Sequence, residues 1–318
     1  LIQENNKLLV IIGPTAVGKT KLSIEMAKRF NGEIISGDSM QVYKGMDIGT
    51  AKITPNEMEG IPHFLLDIKE PNESFSAADF QEQANLAIAD IQKRGKLPII
   101  VGGTGLYIQS VIYDYQFSEA PSNLVYRKSL ESIVETDGIA PLVEKLRSID
   151  PESAERIHPN NVRRIIRALE IYYCTGITMS DQLDKQTSEL KYDTALIGLT
   201  MGREALYRRI NHRVDIMIEQ GLMEEVKNFY EQGLRDCQSI QAIGYKELYD
   251  YFDGRLTIDE SVEALKQNSR RYAKRQLTWF RNKMDVQWYE MQEQGNNSSV
   301  SEEISTYIAG KLSLNANM

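Results

Sequence analysis

Read as apolar and polar positions, the chain falls into two regimes. In the first, short continuous apolar runs alternate with stretches of helical period. Residues 8–12 are wholly apolar and lead through a glycine-rich turn into a helical pattern over 21–30. Residues 33–36, 62–68 and 97–101 read as further strands, the last apolar enough for a parallel sheet covered on both faces. Ser76 opens a helix, with Asp79 three residues on as a capping-box partner. Phe80, Ala84, Ala87, Ile88 and Ile91 form its apolar stripe, and Arg94–Gly95 closes it. The polar segment 40–61 has few periodic apolar positions and carries Tyr43, Lys44, Asp47 and Thr50. An irregular stretch of that length is more often functional than idle.

Near Asp114 the pattern changes. Segments 122–136, 141–148 and 160–174 are helical in period, separated by turn signals, with no convincing strand among them. A strand returns at 195–199. Helices follow over 203–220 and 222–232, with a short one from Ser239 and a long one opened by Thr257 and Glu260 and running to Met284. Residues 286–289 read as a last strand, 295–299 as a loop and 302–312 as a terminal helix. The expected fold is α/β: a doubly wound parallel sheet with an inserted all-helical subdomain and a helical C-terminal part. The expected parts are a core over 1–114, an insertion over 115–191 hinged at 115–121 and 182–191, and a return to the core over 192–318.

Composition narrows the class. The 318 residues are 42% hydrophobic and 26% charged, as in soluble globular proteins. No apolar run approaches the ~20 residues of a membrane span, and residues 1–7 are polar, without a signal-peptide core. Two distant cysteines, Cys174 and Cys237, point to a reducing, cytoplasmic setting. A net charge of −8 argues against a uniformly basic nucleic-acid binder, although local clusters decide phosphate contacts.

The strongest chemical signal is Gly13-Pro14-Thr15-Ala16-Val17-Gly18-Lys19-Thr20, which matches G-x-x-x-x-G-K-T. A strand before it and a helix after it are the context this phosphate-cradling loop requires. Its glycines turn backbone amides toward an anion, and the helix N-terminus adds partial positive charge. Lys19 reaches outer phosphate oxygens, and the Thr20 hydroxyl is placed to ligate Mg²⁺. Asp38, after the second strand, suits either a general base or Mg²⁺ ligand, or a turn cap within Gly-Asp-Ser. Ligands of doubly wound sheets lie at the carboxyl ends of the strands, which brings the loop, Asp38 and Thr104 to one crevice.

Basic clusters are the next signal. Arg163, Arg164 and Arg167 form one; Arg203, Arg208, Arg209, His212 and Arg213 a second; Lys266, Arg270, Arg271, Lys274, Arg275, Arg281 and Lys283 a third, with Trp279 and Phe280 among them. They suit solvated faces or phosphate contacts equally. His63 and His158 lack partners at ligand spacing and read as structural. No apolar run ends in Asp-Glu and no N-K-x-D reader appears, so a motor ATPase or GTPase is disfavoured while a small-molecule kinase stays open.

Taken in order, GPTAVGKT, GDSMQVYKGMDIGTAK, IPHFLLDI, FSAADF, VGGTGLYIQ, NNVRRIIRALEIY, QAIGYKE and AKRQLTWFR resemble the isopentenyl-tRNA transferase family over about residues 8–283. The resemblance is to its bacterial type, without a C-terminal zinc finger. It implies transfer from dimethylallyl diphosphate to N6 of the adenosine 3′ of the anticodon, in tRNAs reading codons that begin with U. It further implies that the loop holds a leaving diphosphate with Mg²⁺, that Asp38 is the base and that Thr104 lies near the substrates. Arg213 is the expected additional diphosphate contact, with Arg208 and Arg209 competing. Expected tRNA contacts are Asp38, Ser39, Met40, Gln41 and Thr104; Arg127, Asn161, Val162, Arg163, Arg164, Ile165 and Arg167; and Gln241, Ala242, Ile243, Gly244, Tyr245 and Lys246. A monomer that binds the anticodon stem-loop is expected, and no membrane. Competing readings are an adenylate isopentenyltransferase using free AMP, ADP or ATP, a P-loop small-molecule kinase and a non-catalytic RNA-binding protein.

Overall fold

The apolar run near residue 8 forms the central strand of a parallel sheet. A computed structural model describes residues 6–117, 123–293 and 297–315. Contacts group the chain into two compact units: Leu1–Ile112 with Leu190–Met318, and Tyr113–Glu189. The first unit holds β1 (Lys7–Ile12), β2 (Gly32–Ser36), β3 (His63–Phe64), β4 (Leu97–Gly102), β5 (Asp193–Thr200) and β6 (Gln287–Glu290). Their order is β3-β2-β4-β1-β5-β6, with every pairing parallel. Leu9 of β1 lies level with Ile99 of β4 and Ala195 of β5, and residues 8–12 are completely buried. A strand buried on both faces has no polar alternation to display, which is why these runs are continuously apolar. The α/β class expected from the sequence is the one observed.

Helices α1 (Lys19–Arg29), α2 (Ala77–Lys93) and α3 (Gly105–Ile112) belong to the first part of this unit. The Ser76–Asp79 capping box forms as expected, and all five residues of the α2 stripe are buried. Helix α1 begins at Lys19, inside the phosphate-loop motif, rather than at residue 21. Helix α3 was not evident in the sequence. Tyr107, Ile108, Ser110, Val111 and Ile112 are all buried, so it carries no polar face to mark a helical period.

The second unit is helical: α4 (Leu124–Asp137), α5 (Ala140–Ile149), α6 (Pro151–Arg156), α7 (Val162–Thr175) and α8 (Met179–Asp184). Leu130, Leu142, Leu146, Ile157, Ile165, Ile166 and Leu169 form its core. Glu170 is also fully buried there. Burial pushes its carboxyl pKa up, but hydrogen bonds from Arg127 (2.8 Å), Arg167 (2.7 Å) and the Asn123 amide (2.9 Å) outweigh this and hold it below the usual range. Helices α6 and α8 are single short turns that the sequence pattern did not reveal.

The chain then completes the first unit with α9 (Arg203–Glu219), α10 (Leu222–Glu231), a 3-10 turn at Ser239–Gln241, α11 (Tyr245–Phe252), α12 (Ile258–Lys283) and α13 (Ser298–Lys311). The short helix expected from Ser239 is two elements, broken at Gly244, whose φ of 104° belongs to the left-handed region. Helix α13 starts before the expected residue 302. The expected strand at 62–68 shrinks to His63–Phe64, because Leu65 (φ 62°) and Asp67 (φ 54°) turn the backbone out of extended geometry. Residues 118–121 of the expected hinge, the start of the helix expected from Ser122, and residues 295 and 296 of the expected loop lie outside the described residues.

The polar segment after β2 is irregular yet tightly organised. Lys52 Nζ donates to the Tyr43 carbonyl (2.8 Å) and to the carboxylates of Asp47 and Asp67. The Glu225 carboxylate of α10 accepts the amides of Asp47 (3.0 Å), Ile48 (2.8 Å) and Gly49 (3.0 Å), together with the Tyr245 hydroxyl. One side chain therefore replaces the ladder partners that a strand would have supplied. Glu225→Ala strips all three amides of their acceptor. It should destabilise the fold by about 2–4 kcal/mol in urea denaturation and speed amide exchange at 47–49, while Glu225→Gln should lose less. Equal losses for the two variants would contradict this account.

Candidate active site

Three strand ends build the site. β1 ends into the glycine-rich loop, β2 into Gly37-Asp38 and β4 into Gly103-Thr104. Gly13 has φ 152°, and a Cβ there would meet the Leu199 carbonyl oxygen at 2.7 Å. Gly18 (φ 110°) precedes α1 without a side-chain cap, so the first amides of that helix face the loop without a side-chain acceptor. Lys19 Nζ bonds the Gly13 (2.9 Å) and Pro14 (2.8 Å) carbonyls. Val17 is buried in the core, whereas Thr20 is exposed.

Two cavities meet here. The larger, about 730 Å³, is lined by Lys19, Thr20, Asp38, Gly103, Arg209 and Arg213 among others. The smaller, about 310 Å³, is lined by Asp38, Ser39, Met40, Ile210, Leu265 and Lys246 among others. Thr15, Asp38, Arg213 and Tyr272 line both. Burial pushes the Lys19 ammonium down to about 8; the Asp38 carboxylate works against that shift, and Arg213 adds to it. Burial also lowers Arg213, opposed by Asp38 and Glu57. Two desolvated cations close together, with Arg209 on the same wall, favour an incoming anion.

Asp38 makes the turn cap that is one of its alternative readings. Its Oδ1 accepts the Met40 amide (2.8 Å), a turn-capping bond, and it lines both cavities. Thr104 Oγ1 accepts the Ser39 amide (3.1 Å), so Thr104 and the Asp38 turn are directly joined. Of the three competing arginines, Arg208 pairs with Glu293 (2.6 Å), while Arg209 and Arg213 line the larger cavity.

Other residues expected at the site are divided. Gln241, Ala242, Ile243 and Lys246 line the smaller cavity with Ser39 and Met40. Gln41 binds the Thr50 and Ala51 carbonyls and the Ser36 hydroxyl, so its amide braces the loop. Tyr245 must be corrected: it is completely buried, bonded to Glu225, and its hydroxyl pKa is raised by burial first and by the Glu225 charge second. Gly244 is buried as well, its amide held by Glu247 (2.7 Å). In the helical unit, Asn161, Arg163 and Arg164 are exposed, with Asn161 also capping α7. Ile165 belongs to the core and offers no side chain to a partner, Val162 packs against that core, and Arg127 and Arg167 neutralise Glu170. His63 Nδ1 contacts the Ile61 carbonyl (2.8 Å) and His158 accepts the Asn160 amide (3.1 Å), both local bonds.

Two site residues went unnoticed in the sequence, although both stand in or beside its AKRQLTWFR segment. Tyr272 and Gln276 lie one turn apart on α12. Burial pushes the Tyr272 hydroxyl up to about 12, and Thr104 and Gln276 lie beside it. Among the described residues no group of three or more His, Cys, Asp or Glu could hold a metal ion. A Mg²⁺ held by one hydroxyl, water and phosphate oxygens requires no such group, and the exposed Thr20 beside Lys19 fits it.

The Lys19 shift has a measurable sign. A bound anion favours the ammonium form, whereas the free site holds its pKa near 8. Affinity for an alkyl diphosphate should be complete below that pH and weaken as pH rises through it. Calorimetry at pH 8.5 in buffers of different ionisation enthalpy should show net proton uptake on binding; proton release would contradict the assignment.

Residues 41–283 match the family profile described as IPP transferase. A tRNA dimethylallyltransferase of Anoxybacillus flavithermus is 69% identical over 312 residues, 98% of this chain and 99% of the relative. The crystal structure of a full-length tRNA isopentenylpyrophosphate transferase from Bacillus halodurans is 55% identical, covers 97% of each chain and superposes with a TM-score of 0.75. A eukaryotic dimethylallyltransferase acting on tRNA is 36% identical over 90% of this chain and 74% of its own, with a TM-score of 0.77. With the phosphate loop, the strand ends and the helical unit in place, the match over most of its length means that this chain belongs to the IPP transferase family.

Proposed function

We infer that this chain transfers the dimethylallyl group of dimethylallyl diphosphate to N6 of an adenosine in tRNA, the one 3′-adjacent to the anticodon, and releases diphosphate. The observation that carries this reading is the position of Asp38 on the wall shared by two cavities. The larger contains the phosphate-binding groups Lys19, Thr20 and Arg213. The smaller combines Met40, Ile210, Ala242, Ile243 and Leu265 with polar groups, a lining suited to a base or an allyl chain.

The chemistry follows from the groups present. The lone pair of N6 is delocalised into the adenine ring, so the amine is a weak nucleophile. Asp38 accepts an N6 proton as the bond from N6 to the allylic carbon forms. The carbon–oxygen bond breaks, and its electron pair leaves with the diphosphate. Lys19, Arg213 and the loop amides stabilise the charge that grows there. Mg²⁺, with Thr20 as its protein ligand, would neutralise further diphosphate charge when bound. The base must leave its stack to reach Asp38, as unpaired loop bases of RNA do most readily. Arg163 and Arg164 are assigned to tRNA phosphates. Such a substrate places the enzyme in the cytoplasm, and we propose that it acts as a monomer. Among the described residues no helix is long and apolar enough to cross a membrane.

Labelled dimethylallyl diphosphate should pass to unmodified tRNA and not to AMP. Label in AMP, or ATP consumption without transfer, would overturn this reading. Asp38→Ala should abolish turnover yet largely spare tRNA binding; equal losses of both would count against a base. Arg163→Glu with Arg164→Glu should weaken tRNA affinity and make its salt dependence shallower, by about one to two in slope. An unchanged slope would remove the phosphate role.

A further inference from the structure

Gln276 is 5% exposed and sits mid-helix in α12, where a buried amide requires specific partners. Its Oε1 accepts the Thr15 amide of the phosphate loop (3.0 Å), and its Nε2 donates to the Gly103 carbonyl (3.0 Å). A Cβ on Gly103 would lie 2.0 Å from that nitrogen, so no side chain fits between them. The next residue, Thr104, accepts the Ser39 amide at 3.1 Å, and the same turn holds Asp38 through the Met40 amide at 2.8 Å. An unbroken path therefore runs from the loop at the end of β1, through Gln276, to the carboxylate beyond β2. Backbone bonds add to it: Gly37 donates to Val101 (2.8 Å) and Thr104 to Gly37 (3.4 Å). Between the phosphate loop and the β4 turn, the link within this path is one side-chain amide.

We propose that Gln276 is a positioning residue. It fixes the spacing between the diphosphate-holding loop and Asp38, and transmits loop occupancy to the Asp38–Met40 turn. At neutral pH the amide satisfies both ends. A carboxylate accepts from Thr15 but repels the Gly103 carbonyl, and an apolar side chain leaves both backbone groups without a partner in a buried place. Misplacing reacting groups by about 1 Å is sufficient to lose roughly a hundredfold in rate. The kinetic consequence rests on the transfer reaction proposed above; the structural coupling does not.

Two variants of the full chain test it. Gln276→Met should lower kcat by roughly ten- to a hundredfold while KM for dimethylallyl diphosphate and for tRNA stays within about twofold. Gln276→Glu should be as impaired at pH 8 but recover relative to wild type as pH falls to 6. Burial raises the introduced carboxyl's pKa, and its protonated form donates and accepts as the amide does. A pH-independent ratio, or a Met variant with wild-type kcat, overturns the proposal. Hydrogen exchange supplies a readout without turnover. Inorganic diphosphate with Mg²⁺ should protect segments 13–20 and 37–41 in wild type, but only 13–20 in Gln276→Met. Protection confined to 13–20 in wild type, or spread over both segments in the variant, overturns it too. Absence of transfer by wild type, with the exchange coupling intact, would count against the transferase reading alone.

Discussion

The site depends on the close approach of two backbones. A Cβ on Gly102 would stand 2.2 Å from the Gly37 oxygen, so the ends of β2 and β4 touch with nothing between them. Gly103 and Gly105 repeat the constraint against Gln276 and Trp279 of α12. Backbone that admits no side chain has few ways to move, and it holds Asp38 and Thr104 where the strands end. The rigidity required for catalysis comes here from absence of volume as much as from hydrogen bonding.

Elsewhere carboxylates gather backbone and side-chain donors around themselves. Glu225 collects three loop amides, and Glu170 collects two guanidinium groups and one amide. Each is tolerated because its acceptor sites are filled; with a partner missing, the same group would carry a large desolvation penalty. Such arrangements favour one conformation strongly over its neighbours. They hold the segment after β2 in shape and add to the apolar core of the helical unit.

The sequence revealed what depends on local pattern. β1, β2 and β4 were visible as apolar runs, α2 through its cap and stripe, and the phosphate loop through its glycines and flanks. Helix α3 escaped because its exposed residue, Leu106, is apolar and left no polar face to mark a period, and β3 was overestimated because two left-handed residues are not marked by residue type. At the site, Lys19, Asp38 and Arg213 were marked by motif and resemblance. Gln276 was hidden, because its partners lie 261 and 173 residues away and an amide in a basic helix reads as surface. Tyr245 failed in the opposite direction: a Tyr beside a Lys looks exposed, yet its hydroxyl reaches Glu225 in the interior.

The Lys191 amide donates to the Ile112 carbonyl at 2.8 Å. The chain thus departs from the sheet-bearing unit after Ile112 and rejoins it beside the same residue. A segment whose two ends meet closes its loop with little dependence on its length. The helical unit can therefore grow, shrink or be exchanged over evolutionary time without shifting the register of any strand. The sheet-bearing unit and the helical unit are free to diversify at different rates within one chain.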